Sequence, residues 1–409
     1  MLIAAPTHPL ARLPAEEQAL LDRVEQLVVD RIGPEAERVA QEDVFAWDTF
    51  RLLASEGVIA SAFPRDQGGS AASLLARVRI IEALASACST AASIVTGTDL
   101  SSRPLMAGGS AALQAAWLPA LARGERQSAF ALTEPGAGSD VARLACRYTE
   151  AADGSVRLHG RKTFITRAGT ADLFVVVARR EGGPAGAKGL TAFAVPRSSP
   201  GITVSDSIPK LGWYGVPIAQ IDFDGVAVPA DHRLGDEGRG MAIAQDTLLR
   251  ARIGHAAIAL GRMRGAVQIA AQYAAGREVS GRRVGDHQGI QWMLAEMTAT
   301  LESTRCLVYA CARRYDEGDP EVSTHASIAK LRATDACMRL VVDALQLMGG
   351  KGYLKAWPLE RFLRDAKLNQ IGEGTSEVHK NLIGRHVLQA AAAAPRHPCL
   401  PDDPDRFFP

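Results

Sequence analysis

The chain has 409 residues, 47% hydrophobic and 22% charged, and its 46 basic and 45 acidic side chains nearly cancel. That balance argues against nucleic acid or an anionic membrane as the main partner, and no apolar run approaches the ~18 residues of a membrane span. The length exceeds the roughly 250–300 residues at which a single core stops growing, so two or three packed units are expected.

In chain order, Met1-Leu2-Ile3-Ala4-Ala5-Pro6 has no basic n-region and does not read as a secretory leader. Residues 12–128 are helical in period: Leu20, Leu21, Val24, Leu27, Val28 and Ile32 recur at three-to-four spacing after Pro14 and a Glu16-Glu17 start. Apolar segments follow at 50–59 and 74–87. Residues 129–236 change character, with short strand-like runs at 156–158, 174–178, 190–195, 202–204 and 218–223. Gly and Pro punctuate them at Gly182-Gly183-Pro184, Pro200-Gly201 and Pro229. Residues 237–390 return to helical period, best seen in Cys337, Leu340, Val341, Ala344, Leu345 and Met348. Residues 391–409 read as a frayed tail. The order α, β, α gives an α+β chain in which helical bundles flank a small β-barrel or sandwich.

The six cysteines (Cys88, Cys146, Cys306, Cys311, Cys337 and Cys399) include no Cys-x-x-Cys pair, a pattern expected of reduced thiols in a cytoplasmic protein. The nine histidines show no metal-ligand spacing, so no metal site is expected.

Two segments carry chemistry. Thr133-Glu134-Pro135-Gly136-Ala137-Gly138-Ser139-Asp140 follows the apolar stretch Ala129-Phe130-Ala131-Leu132. A strand breaking into a Gly-rich turn exposes backbone N–H groups that suit phosphate or flavin oxygens, although such a segment is also a common plain turn. Some 240 residues on, Gly372-Glu373-Gly374-Thr375-Ser376-Glu377 sets one carboxylate between two glycines before a helix that Thr375 or Ser376 can cap. An acidic helix start with turn glycines would also account for it.

With four further segments, these two resemble the acyl-CoA dehydrogenase family from about Glu16 to Leu388. The four are Trp117-Leu118-Pro119, Lys162-Thr163-Phe164-Ile165-Thr166, Asp286-His287-Gln288 and Gln346-Leu347-Met348-Gly349-Gly350; Arg361-Phe362-Leu363-Arg364-Asp365-Ala366-Lys367 then leads into the Glu373 hexapeptide. The resemblance implies an FAD enzyme with an N-terminal helical domain, a middle β domain and a C-terminal four-helix bundle, assembled as a homo-oligomer, usually a tetramer. Phe130, Leu132 and Thr133 match the segment beside the flavin ring, and Gly138 and Ser139 its pyrophosphate and substrate contacts. Phe164, Ile165 and Thr166 match the strand whose aromatic covers one flavin face and whose Thr hydroxyl meets the N5 edge. Arg277, Gln288, Gln346, Gly349 and Gly350 match residues that reach the FAD of a neighbouring subunit. Thr375 and Glu377 match contacts beyond the catalytic loop.

Glu373 matches the base that takes the α-proton of an acyl thioester while the β-hydrogen leaves as hydride. Its backbone N–H, in the family, helps hold the thioester oxygen, which puts Gly374 beside the substrate. Another branch places its base on a C-terminal-domain helix, and Ala251 stands at that position here. Arg252 matches an arginine near the acyl-CoA site. Glu134 and Glu377 are rival carboxylates.

Three positions depart from the fatty-acid pattern. Gly372 replaces an aromatic before the base, Ser280 replaces a Phe in Arg277-Glu278-Val279-Ser280-Gly281, and Leu249 replaces an acid near the CoA nucleotide. A short, polar or branched acyl group, on CoA or an acyl-carrier protein, fits these better than a straight fatty chain. Electron-transfer flavoprotein is the expected acceptor. A flavin oxidase or monooxygenase, or a non-catalytic homologue, are the other classes open to this fold.

Overall fold

The computed structural model describes residues 9–399. Residues 1–8, where a leader would begin, and 400–409 of the expected tail lie outside them.

The first unit contains α1 (Ala15–Leu27), α2 (Gly33–Val39), α3 (Trp47–Ser55), α4 (Leu74–Ala85), α5 (Ser89–Gly108) and α6 (Ala111–Ala122). α1 starts after Pro14, carries Glu16 and Glu17 in its first turn and buries Leu20, Leu21 and Val24, the stripe expected from the sequence. α4 has no wet face: every residue from Leu74 to Ala85 is buried. Its charged side chains survive there because each has a partner. Arg79 donates to Ala11 O at 2.5 Å, and Glu82 accepts from Arg305 Nη2 at 2.9 Å and from Tyr309 Oη at 2.5 Å.

The middle unit is one eight-stranded sheet. Its strands are β1 (Ser128–Ala131), β2 (Arg147–Glu150), β3 (Val156–Thr166), β4 (Leu173–Arg180), β5 (Leu190–Pro196), β6 (Ile202–Val204), β7 (Ile218–Val228) and β8 (Arg233–Leu234). They run in the order β6-β7-β3-β2-β4-β5-β8, with β1 added parallel to β4 so that Ser128 faces Leu173 and Ala131 faces Val176. Alternation along β4 explains why its run looks apolar throughout. Leu173, Val175 and Val177 join the helical core, whereas Phe174, Val176 and Ala178 join a second core with Leu158, Ile221 and Val226. The sheet is thus packed on both faces at β4 and β5, and β1 pairs with β4 there.

The last unit holds α7 (Gly240–Gly276), a hairpin β9 (Glu278–Val279) and β10 (Arg282–Arg283), α8 (Gln288–Asp316), α9 (Val322–Leu347), α10 (Leu359–Ile371) and α11 (Ser376–Ala393). α7 to α10 pack as the expected four-helix group, and α11 lies on α9 beyond the Gly372–Gly374 break. On α9 the predicted stripe is inside, with Cys337, Leu340, Val341 and Ala344 buried. α11 runs three residues into the segment read as tail, because alanines 390–393 continue a helix until Pro395 forbids it. Among the described residues no helix is long and apolar enough to cross a membrane, and no cluster of His, Cys, Asp and Glu could hold a metal.

α7 touches α4, α5, α8, α9 and both β4 and β5. Its close approach to α4 depends on glycine: a Cβ on Gly261 would lie 2.2 Å from Glu82 O, and one on Gly265 2.1 Å from Ser86 O. The α5–α7 contact is set by charge. Asp99 on α5 is flanked by Arg77 Nη1 at 2.8 Å and Arg250 Nε at 3.2 Å, with Arg77 and Asp99 both buried. Burial opposes its ionisation, but the Arg250 and Arg77 guanidiniums overcome that and lower it to about 2. Because its folded value lies below the ordinary 3.8, its contribution to stability is complete above pH 3.8 and is lost as pH falls toward 2. Asp99→Asn should therefore lower unfolding stability by about 3–5 kcal/mol at pH 7, leaving two buried cations without their anion. Urea unfolding curves of variant and wild type should converge as the pH approaches about 2.

Candidate active site

A cavity of about 240 Å³ opens where the three units meet. The end of β1 and the turn after it contribute Phe130, Leu132, Thr133, Gly138 and Ser139, and the end of β3 contributes Phe164, Ile165 and Thr166. Across from them stand Ala251 and Arg252 of α7, with Glu373 and Gly374 from the break between α10 and α11. Two segments some 240 residues apart in sequence thus share one wall-to-wall space.

The Gly-rich turn is held from behind. Glu134 and Ala137 exchange backbone N–H···O bonds of 3.1 Å, and the Glu134 carboxylate accepts from Lys162 Nζ at 2.8 Å, Ala145 N at 2.6 Å and Cys146 N at 3.0 Å. Lys162 is buried and spends its other protons on Leu132 O at 3.0 Å and Val177 O at 2.7 Å. Glu134 is therefore an anchor with its acceptor capacity engaged, and it is absent from the cavity lining. A Cβ on Gly136 or Gly138 would meet nothing within 4 Å, so space beside the turn is open.

Phe164 departs from strand geometry. Its φ is +56°, and the β3–β7 register slips between Lys162 and Ile165. This bulge turns the ring away from the sheet interior and leaves it 60% exposed at the cavity. Glu373 also has φ +56°, followed by Gly374 at φ +97°, where a Cβ would come within 3.1 Å of His379 Nε2. Thr375 then caps α11, its Oγ1 accepting from Val378 N at 3.3 Å. Ser376, the other candidate cap, instead donates to Asp335 Oδ1 at 3.0 Å.

Among the described residues Glu373 is the only carboxylate lining the cavity, and its oxygens accept no hydrogen bond. Burial raises its pKa above the ordinary 4.5, while Lys330 and Arg252 pull it back. Lys330, buried on α9, donates to Gly374 O at 2.5 Å. Burial brings it down to about 8 against the pull of Glu373 and Asp335. Arg252 has a buried Nε without a partner and forms no ion pair among the described residues, and burial lowers its pKa. Glu377, by contrast, is exposed on the first turn of α11 and lies outside the cavity.

Comparison with known proteins bears directly on this arrangement. The acyl-CoA dehydrogenase N-terminal, middle and C-terminal domain families match residues 14–125, 129–226 and 238–388. The chain belongs to the acyl-CoA dehydrogenase family. It is 35% identical over 376 residues to an acyl-CoA dehydrogenase of Bacillus subtilis (strain 168), covering 91% of this chain and 98% of that protein. Butyryl-CoA dehydrogenase from Megasphaera elsdenii superposes with a TM-score of 0.89 at 33% identity, covering 92% of this chain and 99% of the other. The prolyl acyl carrier protein oxidase AnaB superposes with a TM-score of 0.87 at 26% identity, covering 92% and 100%.

In this acyl-CoA dehydrogenase fold, other sequence-predicted residues stand apart from the cavity. Arg277 ends α7, Gln288 begins α8, and Gln346, Gly349 and Gly350 lie around the end of α9, all five exposed. Ser280, in place of the family's Phe, sits with Gly281 in the β9–β10 turn, where both have positive φ.

The cavity also has walls that sequence reasoning missed. α5 contributes Ser93, Thr96, Gly97, Leu100 and Ser101, and α7 contributes His255. A signal existed for both. The α5 residues recur at i, i+3, i+4, i+7 and i+8, and His255 follows Ala251 by four, on the same helix face.

Removing the cation beneath the Gly-rich turn should be costly. Lys162→Met should destabilise the protein by about 3–5 kcal/mol, since a buried carboxylate loses its counter-ion. Hydrogen exchange at the Ala145 and Cys146 amides should accelerate with it, and an unchanged rate would show that Lys162 does not hold the turn.

Proposed function

We propose that this chain catalyses α,β-dehydrogenation of an acyl thioester bound in the cavity, with Glu373 as the base that takes the α-proton. One observation carries the reading: a single unbonded carboxylate, destabilised in its charged form by burial, lines the same cavity as Phe164, Ile165 and Thr166. Of the rival carboxylates, Glu134 is engaged by Lys162 and two amides, and Glu377 points to solvent. The Glu373 N–H donates to no acceptor among the described residues, which leaves it free for a thioester oxygen.

The residues fit FAD, which when bound would supply the acceptor for the β-hydride. The exposed Phe164 ring would cover one flavin face, with Thr166, Thr133, Leu132, Ile165 and Phe130 along its edge. The open space at Gly136 and Gly138, together with Ser139, suits a diphosphate and the start of the substrate. Arg277, Gln288, Gln346, Gly349 and Gly350, exposed and away from this cavity, would serve the FAD of another copy in a homotetramer, and Thr375 and Glu377 would contact cofactor beyond the catalytic loop. Arg252 would hold the thioester side of the substrate, an acyl-CoA or acyl-carrier-protein conjugate. Electron-transfer flavoprotein would then take the electrons.

Glu373→Gln keeps the shape and removes the proton acceptor. Anaerobic flavin bleaching by substrate should slow by roughly 10²–10⁴, with FAD content unchanged, and bleaching at the wild-type rate would disprove the assignment. Because Glu373 must be ionised to act, kcat/KM should rise with pH through a group titrating above 4.5. Lys330 lowers that value, so in Lys330→Met the acid limb should move to higher pH. A limb that stays in place would mean that Lys330 does not reach the base.

A further inference from the structure

Resting on the dehydrogenase reading above, the geometry points to His255 as a fixed hydrogen-bond donor that selects acyl groups carrying an oxygen or nitrogen acceptor on the chain, rather than a plain hydrocarbon.

One residue behind the cavity has no freedom. Arg262 is fully buried on α7, and an arginine offers only donors. Its Nη1 donates to Asn369 Oδ1 at 2.7 Å and its Nη2 to Ser89 Oγ at 2.8 Å. With its oxygen engaged by a guanidinium, the Asn369 amide must present its NH₂ to the other side. That side is His255 Nδ1, at 3.1 Å. A nitrogen that receives an N–H cannot carry a proton, so in the neutral ring the proton sits on Nε2. Burial, with Lys330, Arg262 and His379 nearby, drives the imidazole down to about 3, so the ring stays neutral across the working pH range.

The ring is fixed in place as well as in tautomer. It stacks on Trp213 with centroids 5.5 Å apart and planes 22° apart, and only 8% of the residue is exposed. Its Nε2 has no partner among the described residues, and His255 lines the cavity. Trp213 offers no competing donor, since its indole N–H goes to Asp365 O at 2.8 Å. Gly372 leaves the ring edge uncovered: a Cβ there would stand 3.5 Å from His255 Cε1, so any larger side chain would extend over the imidazole. The glycine that departs from the family's aromatic thus leaves no side chain over the His255 ring edge beside Glu373. The lining also includes Ser93, Thr96 and Ser101 of α5. A hydrocarbon placed here would leave a buried N–H without an acceptor, whereas a carbonyl, ether or carboxylate oxygen would satisfy it.

The test compares isosteres in the FAD-loaded enzyme. Substrates are the 4-oxopentanoyl and 5-oxohexanoyl thioesters against 4-methylpentanoyl and 5-methylhexanoyl, read as the second-order constant for anaerobic flavin bleaching. Binding of the same compounds to the Glu373→Gln holoenzyme is followed by calorimetry. At one of the two positions the oxo compound should win by roughly tenfold or more in both readouts. His255→Leu should erase that preference, and His255→Gln, which keeps an N–H donor, should restore part of it. Equal treatment of oxo and methyl compounds by the wild type overturns the inference, as does a preference that survives in His255→Leu. If none of the thioesters bleaches flavin yet the binding preference and its His255 dependence remain, the dehydrogenase reading fails and the donor assignment stands.

Discussion

Asp99 holds α5 in register against α7. Arg77 on α4 and Arg250 on α7 close on the same carboxylate, and Arg103 of α5 with Asp246 of α7 at 2.7 Å adds a second tie. Arg250 is the residue before Ala251 and Arg252, and Asp99 lies three beyond Thr96 and one before Leu100. The ion triad therefore sets which side chains of α5 oppose which of α7, and those side chains form the cavity. A slip of a single residue along either helix would turn its own lining side chain, Thr96 on α5 or His255 on α7, out of the space by about 100°. Steric limits at Gly261 and Gly265 act in the same direction by locking α4 against α7.

Around that frame, several buried polar groups behind the cavity differ from those that line it. Groups that organise the backbone are saturated: Glu134 with Lys162, Glu82 with Arg305 and Tyr309, and Asn369 with Arg262. Groups facing the cavity are left wanting, as with Glu373, Arg252 and His255. Unpaired polar groups inside a low-dielectric space are expensive, and at the cavity wall a ligand can complete them.

Much of this was legible in the sequence, and what was hidden had physical reasons. β4 and β5 declared themselves because residues on both their faces are buried, which turns alternation into continuous apolar runs, while β3 and β7 showed through the alternating residues of their one buried face. β2 and β8 did not, being short and carrying arginines at their ends. Glu373 and the β1 turn stood out through glycines that flank polar residues. α5 fell inside the zone read as helical, but its Ser and Thr content with Gly97 and Pro104 hid that its polar face lines a cavity. Its hydroxyls are satisfied within the helix, Thr98 on Ile94 O at 2.8 Å and Ser102 on Thr98 O at 2.6 Å, which is how a polar sequence forms a buried helix. His255 was missed because its role comes from Asn369 and Trp213, more than 40 residues away on either side, and no local pattern encodes that.

Among the described residues only six non-glycine positions take a positive φ, and four of them, Phe164, Arg167, Trp213 and Glu373, line the cavity. Each such residue stores about 1–3 kcal/mol of backbone strain that glycine would release. Selection for heat tolerance and selection for turnover therefore pull on the same codons in opposite directions. A laboratory screen that scored only survival after heating would drift toward glycine at Phe164 and Glu373, whose side chains are exposed or unbonded, while the buried, hydrogen-bonded Arg167 and Trp213 would stay, gathering sturdier proteins whose cavity had lost its ring and its acid.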